Sequence, residues 1–459
     1  MKSPNGPQTP AIVQMMQWIA DPFAFMHNCV EQYGDCFTAR VAKNFRPIVF
    51  VSNPQALEEI LTGDSKQFDA PGGMNEIFQP LLGDSGVIML SGSRHRRERQ
   101  LLMPPFHGER MRAYGQIISD ITEQVISQWK IGEPLSIRDS MQKISLRVIL
   151  RAVFGLSQGD RYQQIEELLC SIIDVTSSPL SASMLFFPIL QKDLGAWSPW
   201  GRFVRQKQQL DSLIYTEIQE RRSQPDPNRT DILALLMSAR DEAGKPMTDN
   251  ELRDELMTMM FAGHETTATA ITWALYWIHK LPDVRKKLLQ EIDSLGEEPD
   301  NNAIFRLPYL NAVCSETLRI YPVGMLTFAR VVQTPVQLLD YELEPGTVLI
   351  GCIYLAHRRK DVYPEPERFK PERFLERQYS PYEYLPFGGG SRRCIGMAFA
   401  LFEMKVVLAK ILSSLELELA DKRPVKPVRR GLVSAPTSVR LVATGKREKT
   451  AKSLATQAL

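Results

Sequence analysis

Cys394 stands where a thiol could do chemistry. In "YLPFGGGSRRCIGMAFALFEMKVVLAKIL" (384–412) three glycines, a serine and two arginines lead into it, and a long apolar helical pattern follows. A thiolate is favoured beside cations and at a helix N-terminus, and this position offers both. Gly388, Gly389 and Gly390 let the backbone bend tightly and approach a flat ligand closely. Zinc would need Cys or His partners at ligand spacing, and none lies nearby. The run also lacks the glycine spacing and closing lysine of a phosphate loop. A single thiolate facing a large planar cofactor is the reading left. Cys29, Cys36, Cys170, Cys314 and Cys352 form no CxxC pair and read as reduced core residues.

Three further constellations carry polar chemistry. "AGHETT" (262–267) interrupts an apolar stretch with Glu265, Thr266 and Thr267. Burying an acid and an alcohol costs free energy unless they are hydrogen-bonded, so packing alone would favour Ala or Leu. Thr and Gly there can loosen the backbone ladder and leave a carbonyl free, or Thr266 can bond back one turn. "SGSRHRRERQLL" (91–102) puts His95 and Arg99 one helical turn apart on one face. Glu316 and Arg319 form an i,i+3 pair which, alone, would be an ordinary surface bridge.

The elements that must position these residues are mostly helices. "TDNELRDELMTMMFAGHETTATAITWALYWIHKL" (248–281) opens with a capping box, Thr248 to Glu251, and stops before Pro282. Its middle is apolar nearly all round, which predicts burial, and Glu265 at its centre argues against a membrane span. The pattern after Cys394 predicts a second internal helix. Breaks fall at 132–134, 223–231, 241–247 and 295–303, none long enough for an interdomain linker. Strand-like stretches are short: Ile48–Ser52, and 336–350 around the "EPGT" turn. Residues 351–390 predict an ordered coil, and 445–459 a flexible tail after a domain covering 1–444. The 459 residues, 44% apolar and 24% charged, are those of a globular protein with an ample core. A net charge of +2 argues against a nucleic-acid binder, and the N-terminus lacks a secretory signal, so a soluble cytoplasmic protein is expected.

"FGGGSRRCIG" (387–396) resembles the FxxGxRxCxG cysteine loop of the haem-thiolate monooxygenases, the cytochrome P450 superfamily, through Phe387, Gly390, Arg392, Cys394 and Gly396. "AGHETT", "ETLR" (316–319) and "FKPERF" (369–374) follow the family's order, and the likeness spans essentially the whole chain. The resemblance implies a mainly α, single-domain fold with small β-sheets and haem b sandwiched between the two buried helices. Cys394 would be its axial ligand, whose electron density favours O–O cleavage. The buried helix and the cations would keep it deprotonated. His95, Arg99, Arg330 and Arg392 would pair the haem carboxylates, with Phe387, Gly396 and Ala262 also against the haem. Thr266 would steady dioxygen and Glu265 relay protons. Glu316, Arg319 and Arg373 would form a buried structural network.

Phe78, Leu82, Val87, Leu185, Phe186, Val323 and Met325 are expected to line an apolar pocket for a fatty acid, terpenoid or similar substrate, with Lys43 or Arg46 as cations at its mouth. The segment around Phe187 is a candidate for touching a membrane surface. The likeness is to soluble bacterial, including cyanobacterial, members. With no fused reductase expected, electrons would come from a ferredoxin or flavodoxin with its NAD(P)H reductase. "RHRRER" (94–99) and Arg393 would attract such an acidic partner to a monomer. An isomerase or dehydratase on the same fold, or a haem sensor without turnover, are the rival readings. The Glu265–Thr266 pair speaks against both.

Overall fold

The computed structural model describes residues 3–447 apart from 64–65, 107–109, 157, 178–189, 196, 297–298, 422 and 432; the side chains of Lys43 and of 173–177 also lie outside the description. Helices α1 (Ala11–Ala20), α2 (Pro22–Tyr33) and α3 (Pro54–Thr62) come first, with strands β1 (Cys36–Ala39) and β2 (Ile48–Val51) between them. β3 (Phe68–Asp69) and the short α4 (Gln79–Leu82) lead to α5 (Gly92–Leu102), α6 (Arg110–Ile126), β4 (Pro134–Ser136) and α7 (Ile137–Phe154). Next are α8 (Asp160–Ser177), α9 (Pro199–Ser223), α10 (Ile232–Ser238) and α11 (Asp249–Lys280). α12 (Pro282–Asp293), α13 (Asn301–Phe305) and α14 (Pro308–Ile320) complete the helical middle. Strands β5 (Arg330–Val332), β6 (Val336–Leu338), β7 (Tyr341–Leu343) and β8 (Val348–Gly351) precede two single-turn helices, α15 (Ile353–Ala356) and α16 (Arg373–Glu376). After α17 (Met397–Ser414) the chain ends in β9 (Leu415–Leu419), β10 (Pro427–Arg430), β11 (Val433–Pro436) and β12 (Arg440–Lys446).

The expected architecture, mainly α with small sheets, is what the chain adopts. The largest sheet has the order β1-β2-β8-β5-β3, with β2 and β8 parallel and the other pairs antiparallel. α11 begins at the capping box: the Thr248 hydroxyl accepts from the Glu251 amide, and the Glu251 carboxylate accepts from the Thr248 amide. Its 32 residues span about 48 Å, and it packs on α7, α14 and α17. That is why it is buried nearly all round and why it can set one wall of a site deep in the domain. No helix among the described residues is long and apolar enough to cross a membrane.

Two expectations need correction. β12 runs on to Lys446, paired with β9, and Arg447 donates to both carboxylate oxygens of Asp293 at 2.9 and 2.6 Å. The ordered chain therefore extends past 444, because pairing with β9 recruits residues whose composition reads as tail; 448–459 lie outside the described residues. Cys29, Cys36, Cys314 and Cys352 are buried as expected, but Cys170 is exposed, on the outer side of α8 between inward-facing Leu169 and Ile172.

Candidate active site

The cysteine loop is shaped by its glycines. Gly388 and Gly390 have φ of +68° and +64°, a region in which a side chain is strained, and a Cβ on Gly390 would lie 1.9 Å from the Leu61 carbonyl of α3. This close approach seats the loop against α3, and the Cys394 amide donates to the Phe387 carbonyl at 3.0 Å. α17 starts three residues later, with Gly396 at its N-cap. Cys394 keeps accessible surface, yet the packed atoms around its sulfur desolvate it. Burial pushes the thiol up; the Gly396 backbone, Arg99 and Arg393 pull it down and do not prevail. The expectation that the surroundings alone keep a thiolate is thus corrected: they favour the thiol, and coordination to a metal would favour the thiolate.

On α11 the accessible side carries Phe261, Ala262, Gly263 and Thr266, while His264 and Glu265 are buried. The Thr266 hydroxyl donates to the Ala262 carbonyl, one turn back, at 2.5 Å. Glu265 does not share this side. Successive helical residues are separated by about 100°, and its carboxylate turns to α7. There Arg138 and Gln142 donate to its two oxygens, both at 2.6 Å. The expected acid–alcohol relay is therefore split, with Thr266 on the open side and Glu265 engaged in an ion pair.

His95 and Arg99 of α5 come together with Arg330 and Arg392, which lie far from them and from each other in sequence. Arg392 donates to the carbonyls of Ala70, Val87 and Leu90, Arg330 to those of Phe328, Ala329 and Gly389, and Arg99 to that of Arg393. None of the three arginines pairs with a carboxylate among the described residues. Burial, then the charges of Arg392, Arg99 and Arg330, pushes His95 down to about 4, so the imidazole is neutral. Burial first also lowers Arg330 and Arg392 to about 10, with Asp69 acting against it on both. Among the described residues Asp69 is the one acid shown acting on this group, and it acts on Arg330 and Arg392 only, a charge imbalance that a dianionic group would correct.

Glu316, Arg319 and Arg373 are brought into one buried network. Arg319 donates through Nε and Nη2 to Glu316 at 2.6 and 2.9 Å, and Arg373 Nε to Glu316 Oε1 at 3.1 Å. Sequence reasoning missed His357. It is fully buried, its carbonyl accepts from Arg319 at 2.8 Å, and its Nε2 accepts the Leu385 amide at 2.9 Å. It thus ties the network to the coil entering the cysteine loop. A lone histidine in an aperiodic coil gave no signal beyond its type.

The pocket expectations fare unevenly. Phe78 keeps accessible surface; Leu82 has none and is core. Val87 is nearly buried and acts through its backbone, its amide donating to Glu255 at 2.6 Å while its carbonyl accepts from Arg392. Val323 and Met325 are buried too, Met325 among the N-terminal hydrophobics; in that extended segment Gly324, Leu326, Phe328 and Ala329 keep accessible surface. Leu185, Phe186 and Phe187 lie outside the described residues. Arg46 is exposed and donates to the Gly346 carbonyl at 3.3 Å. Arg97 leaves the expected basic patch, since it pairs with Glu98, Asp241 and Glu251; Arg94, Arg96 and Arg393 remain exposed.

Comparison with known proteins agrees with this geometry. The Cytochrome P450 family profile matches residues 4–442, and the chain belongs to that family. A Mycobacterium tuberculosis protein provisionally named cytochrome P450 135B1 is 36% identical over 438 residues, covering 95% of this chain and 90% of its own. One similarly named cytochrome P450 138, from Mycobacterium bovis, is 32% identical with 95% of both chains covered. Among solved structures, retinoic acid-bound cyanobacterial CYP120A1 superposes with a TM-score of 0.81 at 23% identity, covering 96% of this chain and 98% of that one. The cytochrome P450DA heme domain gives 0.84 at 21%, covering 97% and 98%. The family makes the protein an oxidoreductase of the haem-thiolate monooxygenase class with a cysteine-ligated haem. The unbalanced arginines, the close-packed glycine loop and the small residues on the open side of α11 fit that group.

Proposed function

We propose that Cys394 supplies the thiolate to haem b and that the chain inserts one atom of O2 into an apolar substrate, a fatty acid, terpenoid or similar. When bound, the haem supplies the dioxygen activation; the side chains hold, orient and shield. His95, Arg99, Arg330 and Arg392 hold the haem carboxylates, the arginines as cations and His95 as a neutral donor. Phe387 and Gly396 shape the sulfur side, and Ala262 leaves room on the other. Thr266 presents its hydroxyl on the open side of α11, and would turn its proton from the Ala262 carbonyl to a bound oxygen ligand. The observation that carries this reading is the gathering of His95 and three arginines with a single opposing acid.

The substrate class is supported by the apolar open positions Phe78, Phe261 and Phe328, and by a structural neighbour solved with retinoic acid, an apolar chain ending in a carboxylate. Electrons are taken to come from a ferredoxin or flavodoxin with its NAD(P)H reductase, docking near Arg94, Arg96 and Arg393, with the chain a soluble cytoplasmic monomer. The test is spectral titration of the haem-loaded protein with retinoic acid, lauric acid and a cyclic terpene, followed by turnover with a ferredoxin system. A spin-state shift and an oxygenated product with at least one ligand class are expected. Product formed without any reductant would instead establish an isomerase or dehydratase.

A further inference from the structure

Arg253, Asp254 and Glu255 are consecutive, buried residues of α11, and all three bond to the strap of chain from Leu82 to Leu90. Arg253 donates to the Leu82 carbonyl at 3.3 Å. The Asp254 carboxylate accepts the Ser85 amide at 2.8 Å, and the Glu255 carboxyl accepts the Val87 amide at 2.6 Å. Glycines let the strap lie this close. A Cβ on Gly83 would be 2.4 Å from the Asp254 carboxylate, and one on Gly86 would be 2.8 Å from the Thr258 hydroxyl. The same strap meets the cysteine loop. The carbonyls of Val87 and Leu90 accept from Arg392, and that of Ile88 accepts from Asn75 at 2.8 Å. Val87 is thus held twice, by Glu255 at its amide and by Arg392 at its carbonyl, the latter at 2.9 Å.

Donor arithmetic decides what the strap does for Arg392. A guanidinium has five N–H donors in a rigid planar fork. Arg392 commits three of them to the carbonyls of Ala70, Val87 and Leu90, two of which belong to the strap. That leaves two donors for a carboxylate, and the three carbonyls set the direction in which those two point. A strap that shifts must carry the fork with it. On the α11 side, Glu255 is the link that shares Val87 with Arg392. Its Oε1 takes the Val87 amide, and its Oε2 has no hydrogen-bond partner among the described residues. Burial, then the charge of Glu98, raises this carboxyl well above its ordinary range, so a neutral amide is a fair substitute for it.

We propose that Glu255, through Val87, is a positioning residue for Arg392: α11 braces the strap, and the strap directs the Arg392 fork. The inference rests on the functional reading above in taking a haem carboxylate as the group that the fork meets. It is tested on the full, haem-loaded chain with Glu255→Gln, Glu255→Leu, Gly86→Ala and Arg392→Gln, and with Arg392→Gln combined with each of Glu255→Leu and Gly86→Ala. Exchange of the Val87 amide should be about fivefold faster in Glu255→Leu, the size of one hydrogen bond lost, and near wild type in Glu255→Gln, which keeps an acceptor. Transfer of haem to apomyoglobin should be about tenfold faster in Arg392→Gln, the size of a charged hydrogen bond. Glu255→Leu and Gly86→Ala should each speed it severalfold alone, and not at all once Arg392→Gln is present. Gly86→Ala displaces the strap without altering Glu255, and so carries the test if Glu255→Leu does not fold. Multiplied rates in the double variants would mean that the brace serves the fold at large, and would overturn the inference. So would wild-type haem loss in Gly86→Ala, or a Glu255→Gln variant as loose as Glu255→Leu. Unchanged haem loss in Arg392→Gln would instead remove Arg392 from the functional reading, and the inference with it.

Discussion

Thr266 and Glu265 are neighbours in sequence with different surroundings. Thr266 bonds back to Ala262 on the open side of α11, whereas Glu265 is clamped by Arg138 and Gln142. Thr266→Ala should therefore leave haem content and ligand binding near wild type while diverting NADPH electrons to hydrogen peroxide. Comparable peroxide yields in variant and wild type would remove the hydroxyl from the mechanism. Glu265→Gln keeps an acceptor for Arg138 and should slow turnover only a few-fold. A loss on the order of 10²-fold would restore the proton relay that the sequence motif suggests. The motif named both residues as polar in an apolar run. Which way each points depends on helix phase against α7, and that packing partner is not written beside them.

Between elements, the buried polar groups decide how the cysteine loop is held. Glu316 and Arg319 are fully buried, and removing either strands a charge at a cost of about 3–5 kcal/mol. Glu316→Ala and Arg319→Ala should each yield little haem-containing protein; normal haem content and melting temperature in either would reduce the pair to a dispensable bridge. Glu403, in the middle of α17, gives a signed pH effect. Burial raises its folded carboxyl to about 8 against 4.5 for the ordinary group, so the folded state binds the extra proton between those values. The resulting stability is fully present below about pH 4.5 and is lost as pH rises through 8. Glu403→Gln should therefore melt higher, relative to wild type, at pH 8 than at pH 5; parallel melting at both would mean that the carboxyl is not protonated in the fold. The long helix, its capping box and the internal α17 were legible because periodicity and caps are local signals. His357 and the reach of β12 were not, because each gains its role only from a partner distant in sequence.

For the whole molecule, the fold brings a cysteine loop and four basic side chains together from three separate stretches of chain, with α11 packed on the helix that follows the loop. The family motifs made that convergence readable. The detailed pocket was not, since Leu82, Val323 and Met325 are apolar for packing and nothing in composition separates core from lining. The central claim is that Cys394 ligates the haem as a thiolate, even though burial alone would keep the thiol protonated. The most direct measurement is the carbon-monoxide difference spectrum of the reduced, haem-loaded protein and of Cys394→Ala. The wild type should show the red-shifted Soret band of thiolate ligation and the variant should lack it; the same band surviving in Cys394→Ala would contradict the assignment.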